Sequence, residues 1–253
     1  MKARLFCAIV GFLLIAALPA AETTPAAKHP VLVSVHGAWA GGWQFKKVAT
    51  LLEARGYLVY RPSLSGLGEH FNTASPDIGL ATHIDDIVNF ILFEDLHDVI
   101  LLGHSYGGMV ITGVADRIPE RIGRLVYIDA FLPVNGESVM TARRPGALRI
   151  EKMVRDGYII PDWVRPDQPF PRDVPLPLKA FTEPIRLSNP AAGKVPVTYI
   201  LTVDPGKKPE DDDFYPFAER ARARGWPVIV MEAGHVPMWS QPEATADLLA
   251  GIH

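Results

Sequence analysis

Ser105 sits in Gly103-His104-Ser105-Tyr106-Gly107-Gly108, between an apolar run, Val99–Leu102, and a helix-like stretch, Met109–Asp116. A serine between a strand and a helix, with glycine two positions to either side, has the spacing of a sharp turn that lifts a hydroxyl clear of the chain. Such a turn strains the serine backbone, and glycines remove the β-carbons that would collide with the adjoining strand and helix. A serine hydroxyl is a weak nucleophile until a base takes its proton. His235 is the candidate base, in Gly234-His235 after the apolar run 227–231 and before a helical segment, 242–249. A carboxylate must then orient the imidazole, and two aspartates end apolar runs between the serine and the histidine: Asp129 and Asp204. A third loop, His36-Gly37-Ala38-Trp39-Ala40-Gly41-Gly42-Trp43, follows Val31–Val35 and is rich in small residues.

Positioning these groups requires a sheet. Short β-rich runs at 31–35, 57–60, 99–102, 125–128, 197–203 and 228–231 lack strict polar alternation, as strands buried on both faces do. Helix candidates lie between and after them at 43–55, 84–93, 109–116, 214–224 and 243–249, the first stopped by Gly56. Repeated strand-then-helix units predict an α/β three-layer fold with a parallel sheet. From Phe131 to Pro196 the alternation fails and prolines are dense, while Met153, Tyr158, Ile159, Trp163, Phe170 and Phe181 are too apolar to leave in water. A stretch of that length in a compact domain predicts a functional element lying over the site.

The chain has 253 residues, 48% hydrophobic and 21% charged, with net charge −3. That suits one globular domain and no electrostatic attraction for nucleic acid or anionic membrane. Lys2 and Arg4 precede an apolar stretch, Leu5–Leu18, and a small-residue site, Leu18-Pro19-Ala20. Residues 1–21 therefore read as a signal peptide, 22–30 as a linker and 31–253 as the domain, giving a periplasmic or secreted protein without stable membrane insertion after cleavage. The only cysteine, Cys7, falls in that leader, so a mature chain has no thiol nucleophile or cysteine-held metal. No metal site and no cofactor are expected. His83 with Asp85 and Asp86 reads as the start of a helix capped at Thr82, and 210–213 as a solvated helix N-terminus. Arg220, Arg222 and Arg224 read as a solvated face, and Trp39, Phe131, Trp163 and Trp239 as candidate pocket walls or core.

Together, 36–43, 61–69 (Arg-Pro-Ser-Leu-Ser-Gly-Leu-Gly-Glu), Thr82-His83-Ile84-Asp85-Asp86, 103–107 and Gly234-His235 resemble the α/β-hydrolase branch of plant methyl esterases, hydroxynitrile lyases and small bacterial esterases. The resemblance implies an α/β-hydrolase fold, with a mostly parallel sheet of about six strands and a small cap over about 131–195. It implies a cofactor-independent serine hydrolase acting on small-molecule esters, with Ser105 as nucleophile, His235 as base and backbone N–H groups of Ala38 and Tyr106 as the oxyanion hole. Asp204 matches the position of the family's acid, and Asp129 is the competitor, since some hydrolases carry theirs one strand earlier. A lyase is the alternative chemistry. The lyases have a lysine after the histidine and a threonine in the oxyanion loop, where this chain has Val236 and Gly37. A receptor built on the hydrolase fold is the non-catalytic alternative.

Overall fold

The structure is a computed structural model that describes residues 29–144 and 149–252. The leader, most of the linker and Cys7 lie outside the described residues. In chain order the elements are β1 (Val31–Val35), α1 (Lys46–Glu53), β2 (Leu58–Tyr60), α2 (Leu80–Phe93), β3 (Val99–His104), α3 (Gly107–Arg117), β4 (Ile122–Ile128) and α4 (Val139–Ala142). Then follow β5 (Val154–Arg155), β6 (Tyr158–Ile159), β7 (Leu176–Pro177), α5 (Lys179–Thr182), β8 (Val197–Val203), α6 (Tyr215–Ala223), β9 (Val228–Glu232), α7 (Pro237–Ser240) and α8 (Pro242–Ala250). Six strands form one sheet in the order β2-β1-β3-β4-β8-β9, and each neighbouring pair is parallel. Every strand expected from the sequence is present.

Strand side chains alternate between two cores, as a period of two requires. Val33, Val35, Leu101, Leu125, Tyr127, Tyr199 and Leu201 face the core built with α2, α3 and α6. Leu32, Leu102, Val126, Ile128 and Ile200 face the one built with α1 and α8. Side chains such as Leu101 and Leu102 are fully buried, each worth roughly 1.5–3 kcal/mol against exposure. Burial on both faces is why these runs are continuously apolar. The first predicted helix begins instead as a 3₁₀ turn, Gly42–Phe45, before α1 buries Val48, Ala49 and Leu52.

Between β4 and β8 the chain leaves the β/α rhythm. β5, β6 and β7 pair antiparallel in a second, three-stranded sheet of two-residue strands, with Ile159 and Leu176 wholly buried. The oxyanion-loop candidate is tied to this sheet: Trp39 Nε1 donates to the Ile159 carbonyl at 3.0 Å, and the Val174 amide donates to the Trp39 carbonyl at 2.8 Å. Arg220 on α6 also serves this segment rather than solvent. Its guanidinium donates to Glu137 at 2.6 and 3.0 Å and to the Leu132 carbonyl at 2.6 Å, whereas Arg222 pairs locally with Glu219.

Candidate active site

Ser105 lies between β3 and α3 with φ of +53°, a left-handed conformation rare for a residue with a β-carbon. Holding it there costs on the order of 1–3 kcal/mol. Neighbours lock it in place: its amide donates to the Ile128 carbonyl at 3.3 Å, and its carbonyl accepts from the amides of Gly108 and Phe131, both at 3.1 Å. The flanking glycines are needed for closeness. A β-carbon on Gly103 would sit 2.8 Å from the Gly107 carbonyl oxygen, and one on Gly107 would sit 2.5 Å from the Val35 carbonyl oxygen. Backbone cannot yield as a side-chain tip can, so the turn is confined to small residues at both positions.

His235 follows β9, and its Nδ1 lies 2.6 Å from Asp129 Oδ2. Nδ1 therefore donates to the carboxylate, which leaves Nε2 free to accept a proton. Asp129 is 1% exposed, at the end of β4, and its Oδ1 accepts the Thr202 amide from β8 at 3.1 Å. A charged, hydrogen-bonded pair of this kind fixes both tautomer and ring direction. His235 is held from two more sides. Its carbonyl accepts from His104 Nε2 at 2.7 Å, and the Phe214 ring stacks on the imidazole at 5.0 Å between centroids and 12° between planes.

Asp204, expected as the acid, does not make this bond. It lies past the end of β8 and opens a turn closed by the Lys207 amide on its carbonyl. Its Oδ2 accepts from Lys207 Nζ at 2.7 Å, and its side chain is 48% exposed. The carboxylate at the end of β4 is buried under the imidazole, whereas the one at the end of β8 is turned toward a lysine and solvent. Both line the same cavity of about 400 Å³, together with Ser105 and His235. Its aromatic wall includes Trp39, Phe131, Trp163 and Phe214. Trp239 is elsewhere, packed edge-on against Trp43.

Ala38 and Tyr106 flank the elbow on the two loops that meet there. Among the described residues neither amide has an intramolecular acceptor. Tyr106 is buried, and its hydroxyl donates to His83 Nδ1 at 2.8 Å, while His83 Nε2 donates to the Ser65 carbonyl at 3.0 Å. The capping expectation at Thr82 is corrected here. α2 begins at Leu80, after Gly79, and the Ala81 amide is met by Glu183 Oε2 at 3.0 Å. His83 is thus a buried strut to the residue after the nucleophile, which the short motif in which it was read does not reveal. His36 plays a similar part: Nδ1 donates to the Gly37 carbonyl at 2.8 Å and Nε2 accepts the Leu64 amide at 3.1 Å. Burial pushes both His36 and His83 down to about 4, so both are neutral near pH 7. Burial, reinforced by the charge of His235, puts His104 well below the ordinary histidine value as well.

In the acidic stretch 210–213, Glu210, Asp211 and Asp213 are exposed as expected, with Glu210 and Asp211 in a 3₁₀ turn, Pro209–Asp211, and Asp212 is the exception. α6 starts only at Tyr215, and Asp212 turns toward the cavity, its Oδ1 accepting the Phe214 amide at 2.8 Å. Among the described residues there is no cluster of three or more side chains suited to a metal ion, and no helix is long and apolar enough to cross a membrane.

The model of the alpha/beta hydrolase family matches residues 32–248. The chain is 36% identical over 247 residues to a carbendazim hydrolyzing esterase from Nocardioides sp., covering 87% of this chain and 98% of that one. It is 29% identical to a pyrethroid hydrolase from Sphingobium wenxiniae, covering 87% and 86%. Among solved structures, an extracellular alpha/beta-hydrolase from a Paenibacillus species superposes with a TM-score of 0.73 at 26% identity, over 87% of this chain and 98% of that chain.

Proposed function

Because the chain belongs to the alpha/beta hydrolase family, we propose that it is a serine esterase that cleaves small-molecule carboxylic esters through an acyl-enzyme on Ser105. In this reading Ser105 Oγ attacks the ester carbonyl as His235 Nε2 takes its proton. Asp129 holds the imidazole and stabilises the imidazolium. The amides of Ala38 and Tyr106 receive the charge that develops on the carbonyl oxygen, where one donor is typically worth ~10²–10³ in rate. His235 returns the proton to the departing alcohol and then activates the water that releases the acid. No metal and no cofactor enter these steps.

The bond from His235 Nδ1 to buried Asp129, in the cavity that Ser105 lines, carries the proposal. It makes the imidazole a base directed away from Asp129. The esterase and hydrolase relatives support the reaction class. The segment between β4 and β8 serves as the cap, contributing Val139, Ile150, Trp163 and Phe181 to the cavity. Export by the leader completes the proposal: Lys2, Arg4 and the apolar stretch 5–18 precede the family match, which starts at residue 32.

The test is covalent labelling with a fluorophosphonate, followed by hydrolysis of a p-nitrophenyl ester chain-length series. The expected result is stoichiometric labelling at Ser105, with labelling and ester hydrolysis both abolished in Ser105→Ala. Undiminished hydrolysis by Ser105→Ala would end the acyl-enzyme reading.

A further inference from the structure

Asp212 is a carboxylate in the cavity that the proposed mechanism leaves unused. It lies two residues before Phe214, in the connection between β8 and α6. Its Oδ1 accepts the Phe214 amide at 2.8 Å, and the Phe214 ring stacks at 12° on the His235 imidazole. One short turn therefore delivers both the ring that covers the base and a carboxylate that lines the same cavity. Phe214 is buttressed in turn by Phe131 and Phe217, at 5.3 and 6.0 Å between centroids, so its plane is fixed independently of His235.

The charged surroundings of Asp212 are defined. Asp129 faces it from the end of β4, Tyr199 from β8, Lys207 from the turn after β8 and His235 from the loop after β9. Asp213 adjoins it along the chain, and Arg144, beyond α4, donates to its backbone carbonyl at 3.3 Å. Partial burial, then the charge of Asp129, raise its carboxyl to about 6, while the charge of His235 acts in the opposite direction. That opposition is electrostatic attraction between Asp212 and a protonated His235, the state His235 reaches whenever it has taken the serine proton.

We propose that Asp212 is a positioning residue for the His235 base: it holds Phe214 against the imidazole and adds a second negative charge, beside that of Asp129, that favours the imidazolium. The inference rests on Ser105 and His235 being the reacting pair. Because Asp212 and His235 carry opposite charges, a proton on either disfavours a proton on the other. The acid limb of activity in the native protein is then broader than a single-proton curve.

The experiment measures the rate of Ser105 labelling by a fluorophosphonate, and kcat/KM for a p-nitrophenyl ester, from pH 4.5 to 8 in the native protein and in Asp212→Asn, Asp212→Glu and Phe214→Leu. Asn keeps an oxygen for the Phe214 amide and removes only the charge. Its acid limb is expected to steepen to one proton and to move to lower pH by about half a unit, with KM little changed. Glu restores the broad limb at its native position. Phe214→Leu lowers kcat and leaves the limb in place. A limb in Asp212→Asn that coincides with the native one overturns the inference, because a purely structural turn would leave it there. Should that variant fail to fold, a clean single-proton limb in the native protein overturns it equally. Failure of the native protein to label sinks the nucleophile assignment itself, a result distinct from normal labelling with an unmoved limb.

Discussion

At the scale of single residues, the decisive fact is which aspartate the imidazole meets. Asp129 is buried and accepts from the Thr202 amide and from His235 Nδ1. Removing its charge should leave His235 with the wrong tautomer and an uncompensated imidazolium. Asp129→Asn is therefore expected to lose on the order of 10³–10⁴ in kcat with a folded structure retained. Asp204 is an exposed partner of Lys207, and exposed ion pairs contribute little. Asp204→Asn should keep kcat/KM within about threefold of the native value. Steady-state kinetics on the two variants side by side checks both, and the opposite ranking would reinstate Asp204 as the acid. The sequence could name both aspartates because both end apolar strands. It could not choose between them, since the choice depends on how each chain turns after its strand. Asp129 continues with φ of +44° over the Thr202 amide, whereas Asp204 enters a tight turn closed by Lys207.

At the scale of elements, the buried strands and the elbow were legible because they obey local rules: continuous apolar runs for a doubly covered sheet, and glycines where backbones touch. The segment between β4 and β8 was legible only as a break in the pattern. Its two-residue strands have no periodicity to read, and its order comes from long-range contacts such as the bond between Trp39 and Ile159. Trp39 combines φ of +63° in the oxyanion-loop candidate with edge contacts to Trp163 and Phe181 at 5.6 and 5.7 Å. It thus joins the rim of the sheet to the cavity wall. Trp39→Phe keeps most of the wall and removes one hydrogen bond to the buried Ile159 carbonyl, a loss of roughly 0.5–1.5 kcal/mol. The expected outcome is a lower unfolding midpoint and a KM raised about fivefold for bulky esters, with kcat within about twofold. A fall in kcat at unchanged KM would show that the indole acts on the reacting centre rather than on the wall.

Across the whole molecule, the elbow is surrounded by imidazoles that fold in the neutral state. His36, His83 and His104 come from the loop after β1, from α2 and from β3, and each is almost fully buried. Desolvation depresses all three, with His36 and His83 at about 4. In the unfolded chain each takes up a proton near pH 6.5, so between pH 6.5 and 4 the unfolded state binds more protons than the folded one. Stability is therefore complete above pH 6.5 and falls as pH drops, by on the order of 3 kcal/mol at pH 4 for His36 and again for His83. Asp212 works the other way: its carboxyl is raised to about 6, so the folded state gains stability from protonating it as pH falls through that value. This opposing contribution is the smaller one, because Asp212 is only half-buried and partly screened by solvent. Urea unfolding followed by circular dichroism should accordingly give a free energy that declines steeply from pH 6.5 to pH 4. His83→Gln, whose amide can still donate to the Ser65 carbonyl but takes up no proton, should flatten that decline while lowering stability at pH 7. If the variant and the native protein lose stability in parallel over this window, His83 does not fold in the neutral state that its two hydrogen bonds require.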